Sequence, residues 1–171
     1  DAPYPVVERE FVNPGKGSAF VRLKLKNLLN NQGLATVMKT NESAEEITVT
    51  ESNCQYMYAD DENYYFMEGE TYEQFPVPRE GLEDKIYFML EGQDYRVVKW
   101  EDRPIDIKLP AKMVFKVTEA SEGIKGDTVT KTTKPVKIET GLTVRVPLFI
   151  KEGEKILVNT ETKEYQERVN S

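Results

Sequence analysis

Alternation of apolar and polar side chains dominates this sequence and predicts β-strands along most of its length. The clearest run lies within 19–28, where Val21, Leu23 and Leu25 alternate with basic residues. A period of two residues places the two sets on opposite faces of a strand. Similar short runs, separated by turn residues, recur to the end of the chain. The pattern therefore predicts an all-β protein.

The basic face of this strand carries Arg22, Lys24 and Lys26, which we interpret as a basic, RNA-facing surface. The run before it, 6–12, also has the character of a strand, and 13–17 joins the two runs with the sequence Asn-Pro-Gly-Lys-Gly. Two strand-like runs joined by turn residues predict a hairpin. A lysine lies at its tip.

The tip consists of Asn13, Pro14, Gly15, Lys16 and Gly17. Proline followed by glycine suits the two central positions of a type II turn, in which the glycine needs a positive φ. We therefore predict a turn centred on Pro14-Gly15, followed by an exposed lysine and a second flexible glycine. On its own, such a motif is also typical of an ordinary exposed hairpin with a solvated lysine.

One segment departs from the strand pattern. Leu82, Ile86, Met89 and Leu90 follow each other at spacings of 4, 3 and 1, which predicts one apolar face of a short helix. Since the other predicted elements are strands, small β-barrels are the natural architecture.

Charge is distributed unevenly along the chain, whose net charge is −7. Residues 1–46 hold 6 basic and 6 acidic side chains, residues 47–110 hold 6 and 15, and residues 111–171 hold 11 and 9. The net charges are therefore 0, −9 and +2. Both ends can meet phosphate, while the centre repels it. We predict three domains with these boundaries.

The composition restricts the chemistry. The chain has no histidine and a single cysteine, Cys54, which excludes histidine-based triads, histidine-ligated zinc and an intramolecular disulfide. A nucleophilic lysine needs desolvation, which a hairpin tip does not provide. We therefore expect no enzyme activity, no catalytic residue, no metal and no cofactor. The single cysteine fits a reduced, cytoplasmic setting. No apolar run approaches the ~20 residues of a membrane span, so we expect no membrane partner.

The longer string from Pro14 to Asn27, Pro-Gly-Lys-Gly-Ser-Ala-Phe-Val-Arg-Leu-Lys-Leu-Lys-Asn, resembles the signature of bacterial elongation factor P. That family relieves ribosomes stalled at consecutive prolines. The resemblance implies that Lys16 is extended after translation, with β-lysyl the expected group, and reaches the peptidyl-transferase centre. It implies three partners: the 70S ribosome with its RNA, the P-site peptidyl or initiator tRNA, and an enzyme that modifies Lys16. The family usually has a basic residue where this chain has Asn13.

A second block of resemblance lies within 124–149, where the family carries a Gly-Asp-Thr loop followed by a Lys-Pro pair. The family approaches the E-site codon on the small subunit with the loop residues that correspond here to Gly126, Asp127 and Thr128. The residues at 129–133 depart from the family, which is usually glycine-rich there. Two further positions match family residues that touch the small subunit or the tRNA, namely Tyr165 and Arg168.

The resemblance implies three small barrels in an elongated, tRNA-like L shape. An SH3-like or KOW-type domain at 1–46 would precede OB-fold domains at 47–110 and 111–171. Three such domains in a row span roughly 75–80 Å, about the reach of a tRNA. Compared with the family, the chain lacks the first strand, roughly 15 to 20 residues, which would leave a sheet edge unpaired. We expect a monomer that binds the ribosome between the P and E sites.

Two alternatives stay open. Aromatic strands at 55–58 and 64–67 also suit a barrel that stacks single-stranded nucleic acid, although the surrounding carboxylates oppose it. Such a protein should bind free oligonucleotides in a salt-dependent way, whereas a ribosomal factor should need the ribosome. The second alternative is a paralogue similar to elongation factor P.

Overall fold

The computed structural model describes residues 2–30, 32–121 and 132–170. Within these residues the chain forms thirteen strands and one short 3-10 helix, and the strands build three antiparallel sheets. The all-β prediction is therefore confirmed. The described residues of 1–83 and 91–108 form one compact unit, here called the first unit. Those of 84–90 and 109–171 form another, the second unit. The division into three domains stays a prediction.

The first sheet has the strand order β1-β2-β3. Its strands are β1 (Val6–Val12), β2 (Phe20–Lys26) and β3 (Gly33–Lys39). The predicted alternation in β2 is confirmed, because its apolar side chains at 21, 23 and 25 are half-buried while its basic ones are exposed. None of the side chains in these three strands is fully buried.

The second sheet has the order β6-β5-β4-β7-β8. Its strands are β4 (Thr50–Ala59), β5 (Asn63–Glu68), β6 (Gln74–Pro78), β7 (Asp94–Trp100) and β8 (Arg103–Lys108). The end strands β6 and β8 contact each other, so the sheet curls into a barrel. Aromatic and β-branched side chains fill its interior, among them Tyr56, Tyr64, Phe66, Val77, Val97 and Ile107.

The third sheet has the order β11-β10-β9-β12-β13 and lies in the other unit. Its strands are β9 (Lys112–Ala120), β10 (Thr133–Ile138), β11 (Thr143–Pro147), β12 (Lys155–Asn159) and β13 (Tyr165–Val169). The end strands β11 and β13 contact each other. The core consists of Phe88, Phe115 and eight aliphatic side chains.

The helix predicted within 82–90 is present but differs in type, since it is a 3-10 helix over Glu83–Phe88. Phe88 is buried in the core of the second unit, with its ring centroid 6.2 Å from that of Phe115. A 3-10 helix has three residues per turn rather than 3.6, so the α-helical spacing did not identify Phe88 as an inward side chain. In the described part of the chain, no helix is long and apolar enough to cross a membrane.

Candidate functional site

The hairpin of β1 and β2 ends in a wide loop. The last cross-strand pair is Val12 with Phe20, which leaves 13–19 outside the ladder. Lys16 lies at the centre of this loop and is exposed. Among the described residues, no heavy atom beyond the chain neighbours of each glycine lies within 4 Å of the position that a Cβ would take at Gly15 or Gly17. The loop therefore holds the lysine away from the rest of the described structure.

The predicted type II turn at Pro14-Gly15 is wrong. Gly15 does not adopt the positive φ that such a turn needs, whereas Gly17 does, with φ 112°. The physical reason is the length of the loop, which reverses the chain without a tight two-residue turn. The conformation that favours glycine falls directly after the lysine rather than before it.

The basic side chains of β2 lie opposite acidic side chains of β1. Glu10 pairs with Arg22 at 3.6 Å, and Glu8 pairs with Lys24. The hydrogen bond from Lys24 to the Glu8 carboxylate, reinforced by the attraction of the opposite charge, raises the pKa of the lysine. This face of the hairpin therefore carries a ladder of alternating charges, not the purely basic surface that β2 alone suggests. Lys26, the third basic residue, is also exposed.

Sequence reasoning missed both glutamates, although the sequence contains a signal for them. Glu10 and Glu8 lie as far before the centre of the loop as Arg22 and Lys24 lie after it. In an antiparallel hairpin, positions equidistant from the loop face each other.

In the second unit, a β-bulge brings Tyr165 and Arg168 onto the same face of β13. Tyr165 lies opposite Val158 and Arg168 lies opposite Ile156, with a shift of register between the two pairs. Val158 and Ile156 are both fully buried. Residues three apart on a regular strand point to opposite faces, so the extra residue of the bulge is what aligns them. Tyr165 packs against the core.

Arg168 lies at the surface between an aromatic ring and a carboxylate. Its guanidinium carbon is 5.5 Å from the centroid of the Phe149 ring, and its Nη1 atom is 3.6 Å from Oε1 of Glu154. Phe149 is 56% exposed. These contacts hold the guanidinium near the edge of the sheet while leaving part of it free for hydrogen bonds to a ligand. Sequence reasoning missed Phe149 and Glu154, because both partners come from connections outside β13.

The predicted codon-contacting residues Gly126, Asp127 and Thr128 lie outside the described residues. Lys134, the lysine of the Lys-Pro pair that follows these residues in the sequence, lies in β10. Its side chain is buried, and its Nζ atom donates a hydrogen bond to the carbonyl of Ser121 at 3.2 Å.

The chemistry available at the hairpin tip is limited to one primary amine. Residues 11–21 contain no ionisable side chain other than Lys16, so no acid or base from the loop assists it. An exposed amine of this kind suits contact with an anion or covalent extension by an enzyme. In the described residues, no cluster of acidic or cysteine side chains is able to hold a metal ion.

Three protein-family models match consecutive parts of the chain. The "Elongation factor P (EF-P) KOW-like domain" matches residues 1–44, the "Elongation factor P (EF-P) OB domain" matches 49–107, and "Elongation factor P, C-terminal" matches 113–168. The first match contains the lysine-bearing loop, and the third contains Tyr165 and Arg168.

Close relatives bear the same family name. The chain is 54% identical over 169 residues to "Elongation factor P" of Treponema denticola, covering 99% of the chain and 90% of that relative. It is 52% identical to "Elongation factor P" of Treponema pallidum strain Nichols, with the same coverage. It is also 52% identical over 170 residues to "Elongation factor P" of Borrelia hermsii, covering 98% of the chain and 88% of that relative.

A solved structure shares the fold. "Eukaryotic translation initiation factor 5A from Methanococcus jannaschii" matches with a TM-score of 0.50 and 20% sequence identity, covering 63% of this chain and 78% of that one. The β-barrel architecture, three consecutive family matches and identities above 50% along nearly the whole chain agree. The chain therefore belongs to the elongation factor P family of translation elongation factors.

Proposed function

We propose that this chain binds the ribosome between the P and E sites and promotes peptide-bond formation at consecutive prolines. The single observation that carries the proposal is the exposed Lys16, isolated at the end of the β1–β2 hairpin in a chain of the elongation factor P family. In this proposal the lysine contacts the P-site tRNA near the peptidyl-transferase centre.

The proposed contribution is positioning, not proton transfer. Attack by a prolyl substrate is slow when the reacting groups are badly placed, and holding them in a productive geometry lowers the entropic part of the barrier. General acid or base catalysis needs a group whose pKa lies near the working pH. A loop whose only ionisable side chain is a lysine suits the first role better than the second.

An unmodified lysine reaches only roughly 6 Å beyond its Cα. We therefore propose that an enzyme extends Lys16 with an amine-bearing group, β-lysyl in the first instance, which keeps positive charge at the far end. Open space around the tip supports this, since no described residue crowds the Cβ positions of the flanking glycines. The intact mass of the protein from its native host would identify the group.

We propose that the second unit anchors the protein on the ribosome. Arg168 and Tyr165 share one face of β13, where they would contact the small subunit or the tRNA together with residues 126–128. Arg22, Lys24 and Lys26 would lie along RNA, with the first two exchanging their glutamate partners for phosphate.

The test compares Lys16→Ala and Lys16→Arg with Lys112→Ala, a control at another exposed lysine. Because the tip makes few packing contacts, we expect the Lys16 variants to change the free energy of unfolding by less than about 0.5 kcal/mol. In a reconstituted translation system, neither Lys16 variant should stimulate synthesis of a Pro-Pro-Pro reporter. The control should behave as the wild type.

Full activity of the Lys16→Ala variant would contradict the proposal. Equal activity of the unmodified and the modified wild-type protein would leave the family assignment intact but refute positioning by an extended lysine.

A further inference from the structure

Two tyrosines and a proline form a row on the outer face of three neighbouring strands of the second sheet, with the middle residue, Tyr65, half-buried. Tyr58 on β4 faces Tyr65 on β5, which in turn faces Pro76 on β6. The two tyrosine rings stack with their centroids 4.6 Å apart and their planes 19° apart. Tyr58 is 47% exposed and Pro76 is also exposed. We call these three residues the tyrosine row.

The interior of the barrel does not need the tyrosine row. Tyr56, Tyr64 and Phe66 point inward on the same two strands and are almost completely buried. A shift of register between Tyr56 and Tyr58 turns Tyr58 outward. Large aromatic side chains that gather on the outside of a sheet are typical of an interaction surface.

The tyrosine row lies beside three consecutive carboxylates of the β4–β5 loop, Asp60, Asp61 and Glu62, all of them exposed. The Tyr65 hydroxyl donates a hydrogen bond to Oδ2 of Asp60 at 2.7 Å. The backbone amides of Glu62 and Asn63 donate to the other oxygen at 2.9 and 2.7 Å. The Tyr65 hydroxyl first, and then these amides, lower the pKa of Asp60. The carboxylate therefore stays ionised and fixed next to the rings.

This combination favours a guanidinium ligand. An arginine side chain stacks on the face of a tyrosine and at the same time forms paired hydrogen bonds with a carboxylate. A phenol that donates to a carboxylate gains electron density in its ring, which strengthens the attraction for a cation. An arginine of the chain itself already lies over a tyrosine near this loop, because Arg79, directly after β6, is 5.2 Å from the centroid of the Tyr64 ring and donates to the backbone carbonyl of Asp60.

The charge of the surroundings selects the class of partner. Residues 47–110 carry a net charge of −9, so nucleic acid would meet repulsion at its phosphates while stacking its bases. A basic protein segment gains from both the rings and the carboxylates. We propose that the tyrosine row and the adjacent carboxylates bind an arginine-bearing segment of a protein partner. This interaction is separate from the proposed role of Lys16.

The test measures binding of short peptides to the full chain by fluorescence anisotropy. The probes are fluorescein-labelled Gly-Arg-Gly-Arg-Gly-Arg, the same peptide with lysine in place of arginine, and an oligouridine RNA. The variants are Tyr58→Ala and a control, Tyr72→Ala, which removes a tyrosine that is 71% exposed elsewhere in the same unit. Fluorescence of Trp100, the only tryptophan, checks that the unit is folded.

We expect the arginine peptide to bind more tightly than the lysine peptide. Loss of a cation–π contact predicts that Tyr58→Ala weakens binding by about 3-fold to 30-fold, whereas Tyr72→Ala leaves it unchanged. If Tyr58→Ala does not fold, the double variant Asp61→Asn/Glu62→Gln carries the test, because both side chains are exposed in the loop. It should weaken binding of the arginine peptide as well.

Three results would each overturn the proposal: equal affinity for the two peptides, equal affinity of the folded Tyr58→Ala variant and the wild type, or tighter binding of the RNA than of the arginine peptide. None of these measurements involves the ribosome or Lys16, so their outcome is independent of the proposed function.

Discussion

Replacing Glu68 by glutamine should destabilise the first unit more than the same kind of replacement at an exposed carboxylate. Oε2 of Glu68 accepts from Nζ of Lys99 at 2.7 Å and from the Ser52 hydroxyl at 3.3 Å. The side chains of Glu68 and Lys99 are only 19% and 20% exposed. Nζ of Lys99 also lies 4.2 Å from the centroid of the Phe75 ring. The substitution leaves this ammonium without its counter-charge in a largely desolvated place.

The expected loss lies between two known limits. Removing one partner of an exposed pair costs about 0 to 1 kcal/mol, and removing one partner of a buried pair costs about 3 to 5 kcal/mol. Because Glu68 and Lys99 are about four-fifths buried and Ser52 also donates to Glu68, we expect Glu68→Gln to lower the free energy of unfolding by about 2 kcal/mol. With a urea dependence of about 1 kcal/mol per molar for a small unit, the midpoint should fall by about 2 M.

Urea unfolding followed by Trp100 fluorescence measures this loss, because Trp100 lies next to Lys99 in β7. Glu70→Gln is the matched control, since Glu70 is exposed and its replacement should shift the midpoint little. The double variant Glu68→Gln/Lys99→Met removes both charges and should recover much of the loss.

The same pair predicts a dependence on pH. The hydrogen bond from Lys99 is the main reason why the pKa of Glu68 lies below its ordinary value in the folded protein. The stabilisation is therefore complete above the ordinary glutamate pKa of about 4.3 and is lost as the pH falls through the lower folded value. The deficit of Glu68→Gln should be constant near neutral pH and shrink below about pH 4. A midpoint no lower than that of the control, or a deficit that persists undiminished into acid, would refute the reasoning.

Two further predictions concern the candidate site. Gly17→Ala should disturb the tip, because alanine at φ 112° is strained, whereas Gly15→Ala should be tolerated because φ is not positive there and the space is open. Factor-dependent synthesis of the Pro-Pro-Pro reporter should fall only for Gly17→Ala. Equal activity of the two variants would contradict the importance of the loop conformation. Arg168→Gln should raise the factor concentration needed for half-maximal stimulation while the saturating rate persists. Lys137→Gln, at another exposed basic residue paired with a carboxylate, should leave both quantities unchanged, and a fall in the saturating rate alone would argue against anchoring.

Strands with alternating or aromatic patterns were predictable from the sequence, but two strands that contain proline were not. β6 contains Pro76 and Pro78, and β10 contains Pro135. Proline lacks the N–H that a ladder needs and so indicates a turn or an edge. β6 is at the end of the strand order. In β10, pairing with β9 begins only at Val136, so the missing N–H of Pro135 costs no bond on that side.

At the candidate site, local features were predictable and contacts between distant segments were not. The exposure of Lys16 followed from its place between two glycines in a hairpin. The alignment of Tyr165 with Arg168 depends on a bulge that no residue type in β13 predicts. The contact of Arg168 with Phe149 depends on how the sheet closes. Such contacts arise from packing between elements, which periodicity along one element cannot encode.

The ion pairs along the β1–β2 hairpin also affect how the molecule would approach a polyanion. Glu8 and Glu10 offset the charges of Lys24 and Arg22 along one face, whereas Lys16 is the only charged side chain within 11–21. At physiological ionic strength, opposite charges held within a few ångströms cancel beyond the Debye length of about 8 Å. An isolated charge at the end of the hairpin does not cancel in this way, so the tip keeps an attraction for a polyanion that the paired charges along the hairpin lose.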